Sequence, residues 1–188
     1  MISDEELFRQ WQQGKAEALE NLVQRYHRVL LSYLYRLVGQ MPLAEDLVQE
    51  TFVRLVREAQ AYRYPRPFAP WLYTIARHLA LNEHASAYHR HVEVGQAFPE
   101  TPTSACDPAE LVERWTQRDD LQHALVRLTF EQREVLSLRF GQEMSVKEIA
   151  DLLGIPEGTV KSRTFQALRI LRQHLDRDSQ QGIPMQRE

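Results

Sequence analysis

The residues with the clearest chemical meaning lie near the C-terminus. Between Gly158 and Arg177 stand Lys161, Arg163, Arg169, Arg172 and Arg177 against Asp176 alone, in a chain whose formal charge is -3. Cations gathered on one segment of an otherwise acidic protein suit contact with a polyanion. Upstream, Ser145-Val146-Lys147-Glu148 has the form of a capping box, in which the Ser and Glu side chains satisfy each other's backbone donors and open a helix. That helix is predicted to end at Gly154, and after Ile155-Pro156 a second helix is predicted from about Glu157 to Leu175. Ala150, Gly154 and Val160 then supply a small residue where two helices touch, a glycine for the turn and an apolar anchor on the second helix. This is the spacing of a helix-turn-helix. On the second helix Val160, Thr164, Ala167, Leu168, Leu171 and Leu175 share an inward side. Thr159, Ser162, Phe165, Gln166 and Arg169 face outward, flanked by Lys161, Arg163 and Arg172. A solvated helix face normally mixes both signs of charge and hides its Phe, so this face predicts DNA contact.

A helix that reads DNA needs a scaffold. The chain has 188 residues with only 7 glycines, and its apolar residues recur at three and four spacing, which predicts an all-α protein. The exception is His91 to Asp107, where Gly95, Pro99, Pro102 and a Thr/Ser cluster provide breakers and no apolar face. The expected organisation is two small helical domains, 1–90 and 108–177, joined by a flexible linker, 91–107, with a disordered polar tail, 178–188. At about 3.3–3.6 Å per residue the linker spans at most roughly 60 Å, so the two units are free to sit apart. In the N-terminal unit helices are predicted near 3–13, 15–38, 42–62 and 68–90. A second capping box, Thr129 to Gln132, opens a helix in the C-terminal unit.

Two of the N-terminal helices carry candidate sites. In the third, Leu43, Leu47, Val48, Thr51, Phe52, Leu55, Val56 and Ala59 form an apolar stripe, opposite Asp46, Gln49, Glu50, Val53, Arg54 and Arg57. In the fourth, Leu72, Ile75, Ala76 and Leu79 face inward and Trp71, Tyr73, His78 and Asn82 lie nearer the edge. Tyr62, Tyr64, Phe68, Trp71 and Tyr73 form an aromatic concentration whose helical spacing fits a packed core corner.

Several function classes fall away. One cysteine, Cys106, excludes an internal disulfide framework and a Cys-rich zinc site. It stands beside Asp107 with no base nearby, as an unreactive thiol does. His84, His89 and His91 do not share one helical face, and no carboxylate ladder accompanies them, so neither a metal site nor a cofactor is expected. A nucleophile motif and a Gly-rich phosphate loop are absent, so the chain is not expected to be an enzyme. The acidic start, Met1 to Glu6, is unlike a signal peptide, and no apolar run approaches the roughly 18 residues of a membrane span. A cytoplasmic protein without membrane insertion is expected.

Three segments carry a resemblance. Ala44-Glu45-Asp46-Leu47-Val48-Gln49-Glu50-Thr51-Phe52, Trp71-Leu72-Tyr73-Thr74-Ile75-Ala76-Arg77 and Gly158-Thr159-Val160-Lys161-Ser162-Arg163 resemble, in order and spacing, the motifs of extracytoplasmic function (ECF) sigma factors. These bacterial sigma factors keep only regions 2 and 4. The resemblance implies an alternative sigma factor that binds core RNA polymerase through its clamp coiled coil and flap, recognises promoter DNA and melts the minus-10 element. It implies that Asp46, Gln49 and Glu50 dock on the clamp. Minus-10 contacts fall to Arg63, Tyr64, Trp71, Tyr73, Arg77, His78 and Asn82, where stacking surfaces and positive charge suit flipped-out bases. Minus-35 contacts fall to Thr159, Lys161, Ser162, Arg163, Phe165, Gln166, Arg169 and Arg172 in the major groove. An anti-sigma factor is the implied regulator. The sequence departs from the family at His78, where relatives carry Asn, and at Gln166 and Leu168, where many carry Arg. A helix-turn-helix regulator working without polymerase would need only the C-terminal unit and would leave residues 42–90 without a role.

Overall fold

The computed structural model describes residues 2–92, 124–125 and 127–181, and side-chain surroundings within 2–86 and 124–173 of these. Among them the chain forms helices and no strand. In order these are α1 (Asp4–Gln12), α2 (Ala16–Val38), α3 (Met41–Arg57), α4 (Phe68–Val92), α5 (Phe130–Leu136), α6 (Val146–Leu153) and α7 (Glu157–Gln181).

Local signals set most boundaries. Ser3 accepts a hydrogen bond from the Glu6 amide and caps α1, whose first turn carries Asp4, Glu5 and Glu6 against the positive helix end. Gly39 ends α2 with φ +76°, a left-handed conformation that costs other residues a Cβ clash. Both predicted capping boxes are formed, at Thr129/Gln132 and Ser145/Glu148.

Three predicted boundaries differ. The third helix stops at Arg57, and one 3-10 turn, Ala59–Ala61, leads to an extended Tyr62. The break turns Tyr62 back into the core, where it is buried. The predicted tail begins too early, because α7 runs through Gln181. Asp178, Ser179, Gln180 and Gln181 contain no breaker, and Gly182 is the first. Helix α4 reaches Val92, into the predicted linker; the rest of that linker, with Cys106, and residues 182–188 lie outside the described residues.

Helix α2 is the axis of the N-terminal bundle, packed by α1, α3 and α4, while α5, α6 and α7 pair in the C-terminal unit. The two units touch: α5 and the widened turn that follows it (Ser137–Gly141) lie on α2, and α6 lies on α4. One apolar core runs from Leu7 through Leu34 and Leu72 to Leu138, Ile149 and Val160. A second, smaller core joins Leu125, Leu128 and Leu136 to Ala167, Leu168 and Leu171. The linker's reach permits separation, but the surface of α2 and α4 that faces the C-terminal unit is covered.

Candidate nucleic-acid interface

The helix-turn-helix is built as its sequence requires. Gly154 closes α6 with φ +66°, Ala150 and Val160 are buried where α6 meets α7, and the chain re-enters a helix within three residues. Along α7, Val160, Ala167, Leu168 and Leu171 are buried. Lys161, Ser162 and Gln166 are exposed, and Phe165 is 50% exposed. Thr159, Arg163, Arg169 and Arg172 are half-buried at the margins of that face. Of the two α7 positions that depart from the family pattern, Leu168 belongs to the core and Gln166 is exposed.

Helix α3 divides as its pattern predicts, with one exception. Ala44, Leu47, Val48, Thr51 and Leu55 are buried, whereas Asp46 and Gln49 are exposed and Glu50 is half-buried. Glu50 pairs with Arg54 at 3.0 Å across one helical turn. Val56, expected in the apolar stripe, is exposed, because α2 and α4 cover a narrower arc than the stripe's eight residues. Val53 is exposed one turn beyond Gln49 and Glu50, which gives the acidic face an apolar edge.

The expected minus-10 residues separate into three groups. Arg63, His78 and Asn82 are exposed, and Tyr64 is 50% exposed with the Arg9 guanidinium 5.1 Å from its ring centroid. Trp71 and Tyr73 are in the core, at 6% and 2% exposure, and so are not free to stack on bases. Trp71 packs against Phe8 and Tyr62 at ring-centroid distances of 5.3 and 5.1 Å, the packed corner that the aromatic spacing fits. Tyr73 sits edge-on to Tyr33 at 5.1 Å, and its hydroxyl hydrogen-bonds Gln142 of the C-terminal unit. The stripe on α4 assumes one covered face, whereas this helix is covered from two sides. Arg77, the third group, is only 21% exposed and is engaged by Glu134.

Comparison with known proteins decides what family this architecture serves. Residues 22–90 match the family described as Sigma-70 region 2, and residues 124–173 match Sigma-70, region 4. The ECF RNA polymerase sigma factor SigL of Mycobacterium tuberculosis is 36% identical over 166 residues, covering 85% of this chain and 89% of that protein. The chain belongs to the ECF subfamily of sigma factors. The ECF RNA polymerase sigma factor BldN of Streptomyces coelicolor is 34% identical over 176 residues, 93% of this chain, which spans 66% of BldN's length. The fold is shared with CnrH, solved in complex with the cytosolic domain of CnrY (TM-score 0.69, 24% identity, covering 93% of this chain and 98% of that one). It is also shared with the sigma factor RpoE of Bartonella quintana, solved with the anti-sigma factor NepR (TM-score 0.63, 23% identity, covering 85% and 99%).

In this sigma factor polar pairs accompany the apolar packing between regions 2 and 4. Arg77 Nε donates to Glu134 Oε1 at 2.8 Å, and the Glu134 side chain is 0% exposed. Arg133 Nη1 donates to the Leu37 carbonyl at 2.9 Å, one of the last-turn carbonyls of α2 that lack a helical partner. The His84 ring lies 4.9 Å from Phe130, which makes this histidine a packing residue of the contact. Burial pushes the Glu134 carboxyl above its ordinary range, with Arg77 pulling it back. Burial likewise lowers Arg133 and pushes the Tyr33 and Tyr73 hydroxyls up. Among the described residues Tyr33 Oη, Glu134 Oε2 and Arg133 Nε have no hydrogen-bond partner.

Sequence reasoning missed Arg133, Glu134 and Gln142. The available signal was an acid within an apolar stripe, since Phe130, Glu134 and Leu138 recur at spacing four and all three are buried.

Proposed function

We propose that this ECF sigma factor docks on the clamp coiled coil of core RNA polymerase through Asp46, Gln49 and Glu50 of α3. Region 4, with its polymerase contact at the flap, lays α7 in the major groove of the minus-35 element. Arg63, Tyr64, His78 and Asn82 are the minus-10 residues that stand ready at the surface, with Arg77 joining them when released from Glu134. The observation that carries this reading is the exposed outward face of α7, with Ser162, Phe165 and Gln166 projecting from a capped helix-turn-helix. The chain acts by binding, without cofactor or chemistry of its own, in the cytoplasm where polymerase works. No described helix is long and apolar enough to cross a membrane. RpoE of Bartonella quintana, solved with its anti-sigma factor, supports an anti-sigma protein as the partner that holds this chain inactive. Transcription in vitro with purified core polymerase over a randomised promoter library tests the reading. Transcripts should start from a shared two-element motif only when the chain is added. Their absence would remove the sigma function.

The same library reads the α7 face. Arginine pairs best with guanine and glutamine with adenine, and a good bidentate pair is worth about 1–3 kcal/mol. Gln166→Arg should therefore move one minus-35 position toward guanine and leave the minus-10 motif unchanged. An unchanged minus-35 motif takes Gln166 off the reading face. Lys161→Ala should weaken all selected promoters alike and reduce the slope of log affinity against log salt by roughly one, as a lost phosphate contact does. A change confined to one base position would instead make Lys161 a base reader.

A further inference from the structure

We propose that Arg9 of α1 is a positioning residue for promoter DNA: it backs one face of the Tyr64 ring so that an unpaired base stacks on the opposite face. The inference rests on the assignment of Tyr64 to the minus-10 element and deepens it. Arg9 itself lies outside residues 22–90, which match the region 2 family.

Tyr62 and Tyr64 stand two residues apart and turn opposite ways. Tyr62 is 2% exposed, whereas Tyr64 is 50% exposed. The Tyr62 hydroxyl donates to the Arg66 carbonyl, and the Arg66 amide donates to the Arg63 carbonyl at 2.8 Å. These two bonds close a tight turn with Tyr64 at its tip. From Ala59 to Pro67 the segment holds Arg63 and Arg66 and no acid, and both arginines are exposed. An outward ring among cations suits a single nucleic-acid strand, since every base has a face to stack and a phosphate to neutralise.

A lone exposed ring is ordinary; the backing of this one is not. The Arg9 guanidinium carbon stands over the Tyr64 ring, 5.1 Å from its centroid. Glu6 fixes that guanidinium from its other side, because Arg9 Nη2 lies 3.0 and 2.8 Å from the two Glu6 carboxylate oxygens. Glu6 is held in turn by Gln10 Nε2 at 3.1 Å, and its amide is capped by Ser3. Helix α1 also grips the chain on either side of Tyr64, through Gln12 at the Ala59 carbonyl and Glu5 at the Phe68 amide. The protein thus occupies one face of the ring and leaves the other to a ligand. A guanidinium over a ring contributes little in water and more once water is removed. A base laid on the free face removes that water, so the Arg9 contact is stronger in the bound state than in the free one. Only such a difference raises affinity.

The test uses the full chain and a fluorescein-labelled single-stranded 20-mer of randomised sequence in which 5-bromodeoxyuridine replaces thymidine. Irradiation should cross-link the parent at Tyr64, identified by mass spectrometry of the tryptic peptides. Tyr64→Ala should weaken binding about 5- to 140-fold, as loss of a base stack does, and Tyr64→Phe, which keeps the ring, should bind as the parent does. Arg9→Ala should weaken binding about three- to fivefold and lower the cross-link yield at position 64. Arg9→Lys keeps the charge but loses the flat guanidinium and its fork on Glu6, so it should restore only part of that loss. In the Tyr64→Ala background Arg9→Ala should have almost no further effect, which a direct phosphate contact or a general loss of structure would not reproduce. Absence of a cross-link at Tyr64 in the parent overturns the stacking platform. An Arg9→Ala effect that persists undiminished without the Tyr64 ring overturns the positioning role, as does full rescue by Arg9→Lys. These readouts contain no polymerase, so failure of the sigma reading would appear separately, as an absence of transcription by the parent protein.

Discussion

Replacing Asp46, Gln49 and Glu50 together by alanine is expected to weaken association with core polymerase by about 2–4 kcal/mol, roughly 30- to 700-fold in Kd, because interface energy concentrates in a few side chains. The melting temperature should stay close to the parent's. Asp46 and Gln49 are exposed, and surface substitutions usually cost within about 0.5 kcal/mol. Glu50 pairs with Arg54, and a half-exposed pair one turn apart contributes about 0.3–0.5 kcal/mol. A fluorescence binding titration against core polymerase, run beside a thermal melt, separates the two effects. A large fall in melting temperature would make the three residues structural. Normal binding would move the docking surface elsewhere, with the apolar edge formed by Val53 and Val56 the next place to look.

The fold was legible where a single helix face is buried and a local signal marks each end. Both capping boxes, Gly154 and the division of α7 into inward and outward faces follow from spacing alone. Reading failed where one helix meets two partners. Helix α4 has apolar and aromatic residues around most of its circumference, and periodicity cannot say that Trp71 turns toward α1 while Tyr73 turns toward region 4. The same limit hid the contact between regions 2 and 4. Glu134 looks like one more charge after a capping box until α2 and α4 are placed against it, since ion pairs between residues 57 apart in the chain have no local signature. Residue type and charge thus pointed to the promoter-reading candidates. Which of them are exposed depends on contacts between the two units.

The largest stability effect is expected at Phe8, in a helix that precedes the region 2 match of residues 22–90. Phe8 is fully buried and meets Trp11, Tyr62, Phe68 and Trp71 at ring-centroid distances of 5.1, 4.9, 5.1 and 5.3 Å. Phe8→Ala should cost about 3–5 kcal/mol, the lost transfer energy plus the cavity left among rings that cannot all collapse inward. That is a large part of the 5–15 kcal/mol typical of a whole domain. The effect should reach the proposed minus-10 surface, because α1 fastens both ends of the segment that carries Arg63 and Tyr64. Gln12 donates to the Ala59 carbonyl at 2.7 Å before it, and Glu5 accepts from the Phe68 amide at 3.0 Å after it. Urea unfolding followed by tryptophan fluorescence measures the loss, since Trp11 and Trp71 both border Phe8. Phe8→Leu keeps most of the volume and should retain more than half of the lost stability. If Phe8→Ala unfolds within about 1 kcal/mol of the parent, α1 is peripheral and the aromatic corner stands without it.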